Sequence, residues 1–243
     1  MTEVRQFRQH RFVPPPGSCE ILLVRHGEST PHVEGEPFTL VDGHGDPELA
    51  REGRAQAALV ADRLTSTGEK ITAIYVTTLR RTHETAAPLA ERLGIEPQVE
   101  PDLREVFLGE WEGGELRRRV TDKDPLAAAM FEAGRWDVIP GAETNEAFAT
   151  RVRAGLERVI AAHRGQRVVV VVHGGVIGQC MSLATGAPTF NFMGADNASI
   201  SQIVAMPAGF PSAASGPTGW TVRRFNDTAH LDPVFSIASE PLT

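Results

Sequence analysis

Histidines and arginines in this chain stand where short apolar runs stop. Ile21-Leu22-Leu23-Val24 ends at Arg25-His26-Gly27, and Arg167 to Val172 ends at His173-Gly174-Gly175. Ile71 to Val76 leads through Thr77-Thr78-Leu79 to Arg80-Arg81. Guanidinium groups offer planar, paired donors that match a phosphate. A neutral imidazole can attack phosphorus, and a second can donate to an oxygen that gains charge. Such chemistry also needs a carboxyl group that protonates a leaving alkoxide and later deprotonates water. Glu105 is the candidate, because it follows a short extended segment and precedes a Gly-rich loop, with Glu28, Glu110 and Glu112 as rivals. The reading is phosphoryl transfer: His26 as nucleophile, Glu105 as acid and base, and Arg25, Arg81, His173 and the helix start at Gly174 holding the phosphate.

Other charged residues read as structural. Arg80 and the run Arg117-Arg118-Arg119 are expected on solvated helix faces, and Glu28 as a support for the pocket. Glu143 is expected at a helix start, where a carboxylate favours the dipole. His44, Asp42 and Asp46 lack the spacing of a convincing metal site. No P-loop or dinucleotide fingerprint is present, so neither metal nor organic cofactor is expected. Phe38, Trp111, Trp136, Phe190, Phe192 and Met193 are candidates for the rim of the site.

To bring these residues together, the apolar runs must be adjacent buried strands, since ligands of open α/β sheets lie beyond the strands' carboxyl ends. Helices are expected from Pro47 to Leu64, Leu79 to Leu93, Glu143 to His163 and Gly174 to Ala184, with helical pieces around Leu116 and Leu126–Glu132. Strands are expected at 71–76, 167–172, 199–205 and 220–225, with a short extended piece at 97–103 and long loops at 30–46 and 206–219. Strand–helix alternation predicts a three-layer α/β/α domain with a mostly parallel central sheet, over residues 20–243 and preceded by a tail, 1–19.

A net charge of −7 argues against a nucleic-acid or membrane-surface binder, so any basic site must be local. Lysine occurs only at Lys70 and Lys123. Cys19 and Cys180 read as reduced thiols of a cytoplasmic protein. Arg5, Arg8 and Arg11 are not followed by an apolar run of signal-peptide or membrane-spanning length. The expected partner is a small phosphate monoester. Oligomeric state stays open, with a homodimer as one option.

Leu23-Val24-Arg25-His26-Gly27-Glu28-Ser29 resembles the signature of the histidine phosphatase superfamily, the phosphoglycerate mutase-like proteins. Pro47 to Ala57, Thr77 to Ala86, Leu103-Arg104-Glu105 with Gly109 to Gly113, Pro140 to Thr144, Val172 to Gly175 and Asn197-Ala198-Ser199 are similar to further family segments, in order. The resemblance covers residues 20 to 231. It implies the same roles for His26, Arg25, Arg81, His173 and Glu105, a phosphoglycerate mutase-like fold and no cofactor. The loop from Arg104 to Gly113 and the ending Asn226 to Leu231 resemble the phosphatase branches. Two positions depart from the pattern: His32 stands where the mutase and bisphosphatase branches usually carry Asn, and Thr78 where a proline is usual. The expectation is a metal-independent phosphomonoesterase. The alternatives are a cofactor-dependent phosphoglycerate mutase and a non-catalytic phospho-ligand binder.

Overall fold

The computed structural model describes residues 6–211 and 216–231. Residues 1–5 of the expected tail, 212–215 of the 206–219 loop and 232–243 of the expected domain lie outside the described residues.

The elements run β1 (Cys19–Arg25), β2 (Leu40–Val41), β3 (His44–Gly45), α1 (Arg51–Ser66), β4 (Ala73–Val76), α2 (Arg80–Leu93), β5 (Gln98–Val99), α3 (Glu115–Thr121), α4 (Pro125–Ala133), α5 (Asn145–Ala162), β6 (Arg167–Val172), α6 (Gly174–Thr185), β7 (Ile200–Ala205) and β8 (Trp220–Asp227). Six strands form one sheet in the order β5-β4-β6-β1-β7-β8. The four strands from β5 to β1 are parallel; β7 runs antiparallel to β1, and β8 antiparallel to β7. β2 and β3 pair as a separate small hairpin inside the expected 30–46 loop.

Strand alternation sorts the core into two layers. Ile21 and Leu23 of β1, with Val168, Val170 and Val172 of β6, face α5 and α6 through Phe148, Leu156, Val176 and Ile177. Leu22, Val24, Val169 and Val171 face the other way, onto Val60, Ala61 and Leu64 of α1 and Ala86 and Leu89 of α2. That is the expected three-layer arrangement with a mostly parallel sheet.

Several boundaries differ from the sequence reading for visible reasons. Cys19, placed in the tail by sequence, is the first residue of β1 and pairs with Ala205. The first helix begins at Arg51 rather than Pro47, because residues 48–50 run extended against 28–30: the Thr30 N–H donates to the Glu48 carbonyl (2.9 Å) and the Ala50 N–H to the Glu28 carbonyl (2.9 Å). Gly53 is required there, since a Cβ would stand 2.0 Å from the Glu28 carbonyl oxygen. The helix start is thus pressed against the turn that leaves β1. The 97–103 piece is a two-residue strand followed by a turn of 3₁₀ helix, Pro101–Leu103.

Candidate active site

β1, β6 and the β4–α2 turn deliver their polar residues to one place, at the carboxyl ends of adjacent parallel strands. The rings of His26 and His173 lie with centroids 5.3 Å apart, tilted by 60°. Both are buried. His26 is held by its backbone: the Gly27 N–H donates to Thr85 Oγ1 of α2 (3.0 Å), and the His26 carbonyl accepts from Asn197 Nδ2 (3.0 Å). Its Nδ1 lies 2.8 Å from the Gly27 carbonyl. A carbonyl only accepts, so this contact needs the proton on Nδ1 and leaves Nε2 with a free lone pair. His173 Nε2 meets Thr77 Oγ1 at 3.0 Å, and that hydroxyl already accepts the Leu79 N–H (3.2 Å). The Thr77 hydroxyl also lies 3.3 Å from Thr82 Oγ1, and His173 Nδ1 is a buried atom with no partner among the described residues.

Arg25 ends β1. Its Nη1 donates to the Ala195 carbonyl at 2.6 Å, while its buried Nε has no partner among the described residues. Arg81, in the first turn of α2, is 8% exposed; it donates to the Gly45 carbonyl (3.0 Å) and lies 3.8 Å from the Asp46 carboxylate. Burial lowers the pKa of both guanidinium groups, that of Arg81 to about 10. Burial first, then Arg81 and Arg25, hold His26 well below the ordinary imidazole range. Burial, Arg81, His26 and Arg25 do the same to His173. Both imidazoles are therefore neutral at pH 7.

Glu105 comes to the same place from the opposite layer. Its Oε1 accepts from its neighbour's N–H, Val106 (3.0 Å), and its Oε2 from the Gly175 N–H in the first turn of α6 (3.2 Å). A Cβ at 175 would stand 2.5 Å from Glu105 Oε1, so a larger residue there would displace that carboxylate. The segment carrying Glu105 is clamped by Arg151 of α5. Arg151 donates to the carbonyls of Asp102 (2.9 Å), Arg104 (2.6 Å) and Glu105 (2.8 Å). It also forms a two-point pair with Glu143, at 2.7 Å on each side. Glu143 does not open the helix as expected. α5 starts at Asn145, with Thr144 Oγ1 accepting the Ala147 N–H, and Glu143 instead orients Arg151.

Gly174 packs on Arg25; a Cβ there would stand 3.6 Å from Arg25 Nε. The expectation for Arg117 needs correcting. Arg118 and Arg119 pair on the surface with Glu115, Asp122 and Asp124, but Arg117 turns inward to the Ser29 hydroxyl (2.6 Å) and the Thr30 carbonyl (2.9 Å). Three adjacent arginines gave no periodic cue to which one faces in. Arg151 was also missed, since one arginine on an amphipathic helix carries no signal by itself. Of the rim candidates, Phe38 lies under Arg117 (5.2 Å), whereas Trp111 and Trp136 are buried in the core. Glu112 is a loop brace that accepts from the Gly45 and Leu108 N–H groups. His230 Nε2 lies 3.0 Å from the Ala198 carbonyl. His44, Asp42 and Asp46 diverge, and among the described residues no cluster of His, Cys, Asp or Glu is placed to hold a metal ion. Cys19 and Cys180 are buried, unpaired thiols, and burial raises Cys19 to about 11. No described helix is long and apolar enough to cross a membrane.

A sequence model described as histidine phosphatase superfamily, branch 1, matches residues 21–216, the stretch that carries both imidazoles, their arginines and Glu105. The chain belongs to the histidine phosphatase superfamily. It is 35% identical over 161 residues to a metal-independent phosphoserine phosphatase of Arabidopsis thaliana, covering 65% of each chain. It is 30% identical over 215 residues to a probable phosphoglycerate mutase of Yersinia enterocolitica, covering 88% of this chain and 95% of that one. The structure of mycobacterial glucosyl-3-phosphoglycerate phosphatase superposes with a TM-score of 0.69 at 26% identity, covering 87% of this chain and 100% of that one. Named relatives of this chain thus include phosphatases and a probable mutase on one fold.

Proposed function

We propose that the chain hydrolyses small phosphate monoesters, without a metal, through a phosphohistidine on His26. The observation that carries this reading is the tautomer set by Gly27: a neutral imidazole with Nε2 free, beside two buried guanidinium groups. In this reading the phosphoryl group sits among Arg25, Arg81 and the start of α6. His26 Nε2 attacks phosphorus as the bond to the ester oxygen breaks. Glu105 gives its proton to that oxygen, and the His173 Nδ1–H stabilises charge on a phosphoryl oxygen. Water, deprotonated by Glu105, then attacks phosphorus and releases phosphate with His26 restored. The relatives named as phosphatases support the hydrolytic outcome, although the probable mutase shows that the same fold is assigned to transfer as well.

The test is rapid quenching of the enzyme with a ³²P-labelled monoester. Acid-labile, base-stable label should appear on His26 within one turnover. Full turnover by His26→Ala would refute the reading. Incubation with 3-phosphoglycerate and 2,3-bisphosphoglycerate separates the two outcomes: phosphate release is expected, and efficient isomerisation with little phosphate would assign a mutase.

A further inference from the structure

The segment from Asn226 to Leu231, at the end of β8, has no role in the reaction proposed above, yet it holds the loop on which Arg25 and His26 rest. That loop, residues 195–199, leads into β7. The Ala195 carbonyl accepts from Arg25 Nη1 (2.6 Å), and the Ser199 carbonyl accepts the Arg25 N–H (3.1 Å). The Ala198 N–H is shared between the carbonyls of Arg25 (3.1 Å) and His26 (3.2 Å), and Asn197 Nδ2 donates to the His26 carbonyl (3.0 Å). A shift of this loop is therefore a shift of both residues.

The loop is fastened from its other side by β8. Ile200 pairs with Asp227 and Gln202 with Arg224, so Ser201 stands opposite both Phe225 and Asn226. Such a bulge re-aims a side chain. Asn226, at φ +53°, donates its backbone N–H to Ser201 Oγ (3.1 Å) and turns its amide onto Asp196. The pair is reciprocal: Asn226 Oδ1 accepts the Asp196 N–H, and Asn226 Nδ2 donates to the Asp196 carboxylate, both at 2.7 Å. His230 Nε2 meets the Ala198 carbonyl, a contact that puts the proton on Nε2. We propose that Asn226 and His230 are positioning residues, which hold loop 195–199 where it sets Arg25 and His26 for the phosphoryl group. The Asn226–Asp196 bonds are exposed and add little to stability, whereas a small misplacement of reacting groups is costly to the rate. This inference rests on the roles that the phosphatase reading gives Arg25 and His26.

The experiment exchanges the two partners. In Asn226→Asp a carboxylate faces the Asp196 carboxylate and the pair opens; Asp tolerates positive φ as Asn does, so the backbone is not newly strained. In Asp196→Asn an amide oxygen still accepts from Asn226. In the double variant the amide and the carboxylate have traded places and the pair closes again. Turnover of 4-nitrophenyl phosphate and calorimetric affinity for inorganic phosphate are measured on all four proteins and divided by the folded fraction. Asn226→Asp should lose ~10-fold or more in kcat/KM and in phosphate affinity, the cost of a sub-ångström misplacement. Asp196→Asn should lose no more than ~3-fold, and the double variant should return to within ~3-fold of the wild type, because the two sites are coupled. His230→Phe, which keeps a ring but loses the bond, should fall in the same direction with the Asn226–Asp196 pair intact. Wild-type values in Asn226→Asp, a loss that vanishes after correction for folding, or a double variant no better than Asn226→Asp would overturn the proposal and leave the phosphatase reading standing. Should Asn226→Asp fail to fold, His230→Phe decides: unchanged kcat/KM and phosphate affinity there would overturn the proposal. A wild type that binds phosphate but turns over no ester would overturn the phosphatase reading, with the affinities of the variants still deciding this one. A wild type that does neither would overturn both.

Discussion

Replacing Glu105 with Gln separates the proton from the carboxylate's other work. In the structure that carboxylate accepts two backbone N–H groups, from Val106 and Gly175. A Gln amide can keep one of these through its oxygen but presents a donor to the other. That mismatch should cost about 1–2 kcal/mol, roughly 5–30-fold, and should fall on every substrate alike. The proton is a separate contribution. Positioned acid catalysis is worth ~10²–10⁴-fold when the leaving group needs it, or about 3–5 kcal/mol of barrier. An alkyl phosphate departs as a strongly basic alkoxide and needs it; 4-nitrophenyl phosphate departs as a weakly basic phenolate and hardly does. Glu105→Gln should therefore lose at least ~10²-fold more kcat/KM on glycerol 3-phosphate than on 4-nitrophenyl phosphate. Steady-state phosphate release on the two esters, from one preparation, gives this ratio directly. Equal losses would refute the acid assignment and make Glu28, in the turn after His26, the next suspect.

Arg151→Met should give the same leaving-group signature in weaker form, because it frees the Glu105 segment without removing its carboxyl; it should also lower stability on the order of 2–4 kcal/mol by stranding Glu143, read as a shifted urea midpoint. Activity should survive exhaustive chelation, and loss restored by one specific divalent ion would contradict this. The depressed pKa values of His26 and His173 make stability depend on pH. Below the ordinary value of 6.5 the unfolded chain binds protons that the folded one refuses, so stability present above that pH is lost as pH falls toward the depressed folded values. Wild type should therefore lose more Tm between pH 7 and pH 5 than His26→Asn does; an equal loss would contradict the burial argument.

The parts of this site that follow a strand were legible in the sequence. Arg25, His26 and His173 announce themselves because a buried apolar run that stops at a charged or imidazole residue sets that residue at the edge of the sheet where ligands bind. The two-layer sorting of β1 and β6 follows from the same runs, since strands apolar at every position must be covered on both faces. What stayed hidden depends on tertiary direction. Arg117, Arg118 and Arg119 are chemically identical neighbours, and only packing decides that the first turns to Ser29 while the others meet Glu115 and Asp124. Glu143 and Arg151 lie on one segment but act on another, the carbonyls of 102–105. The start of α1 was misplaced for a similar reason. Pro47 is a good first helical residue by itself, but the backbone of 28–30 pairs with 48–50 and holds that stretch extended.

In the proposed mechanism the arginines that would bind the phosphate also keep the nucleophile ready. Arg81 and Arg25 each push His26 and His173 toward the neutral form, adding to burial. A positively charged imidazole has no lone pair to offer phosphorus, so an empty pocket crowded with guanidinium groups is a pocket with a competent nucleophile well below neutral pH. Binding reverses the balance. A phosphate dianion between Arg25 and Arg81 cancels much of their field at the two rings, and by linkage raises both imidazole pKa values. In the proposed mechanism the change arrives when positive charge becomes useful: His26 would gain it as its Nε2 bonds to phosphorus, and His173 would donate to an oxygen that has turned more negative. The two rings thus stay neutral while the pocket is empty and share the dianion once it is filled. The proposed mechanism then needs no separate base to activate His26, and it leaves Glu105 to serve the leaving oxygen and the water.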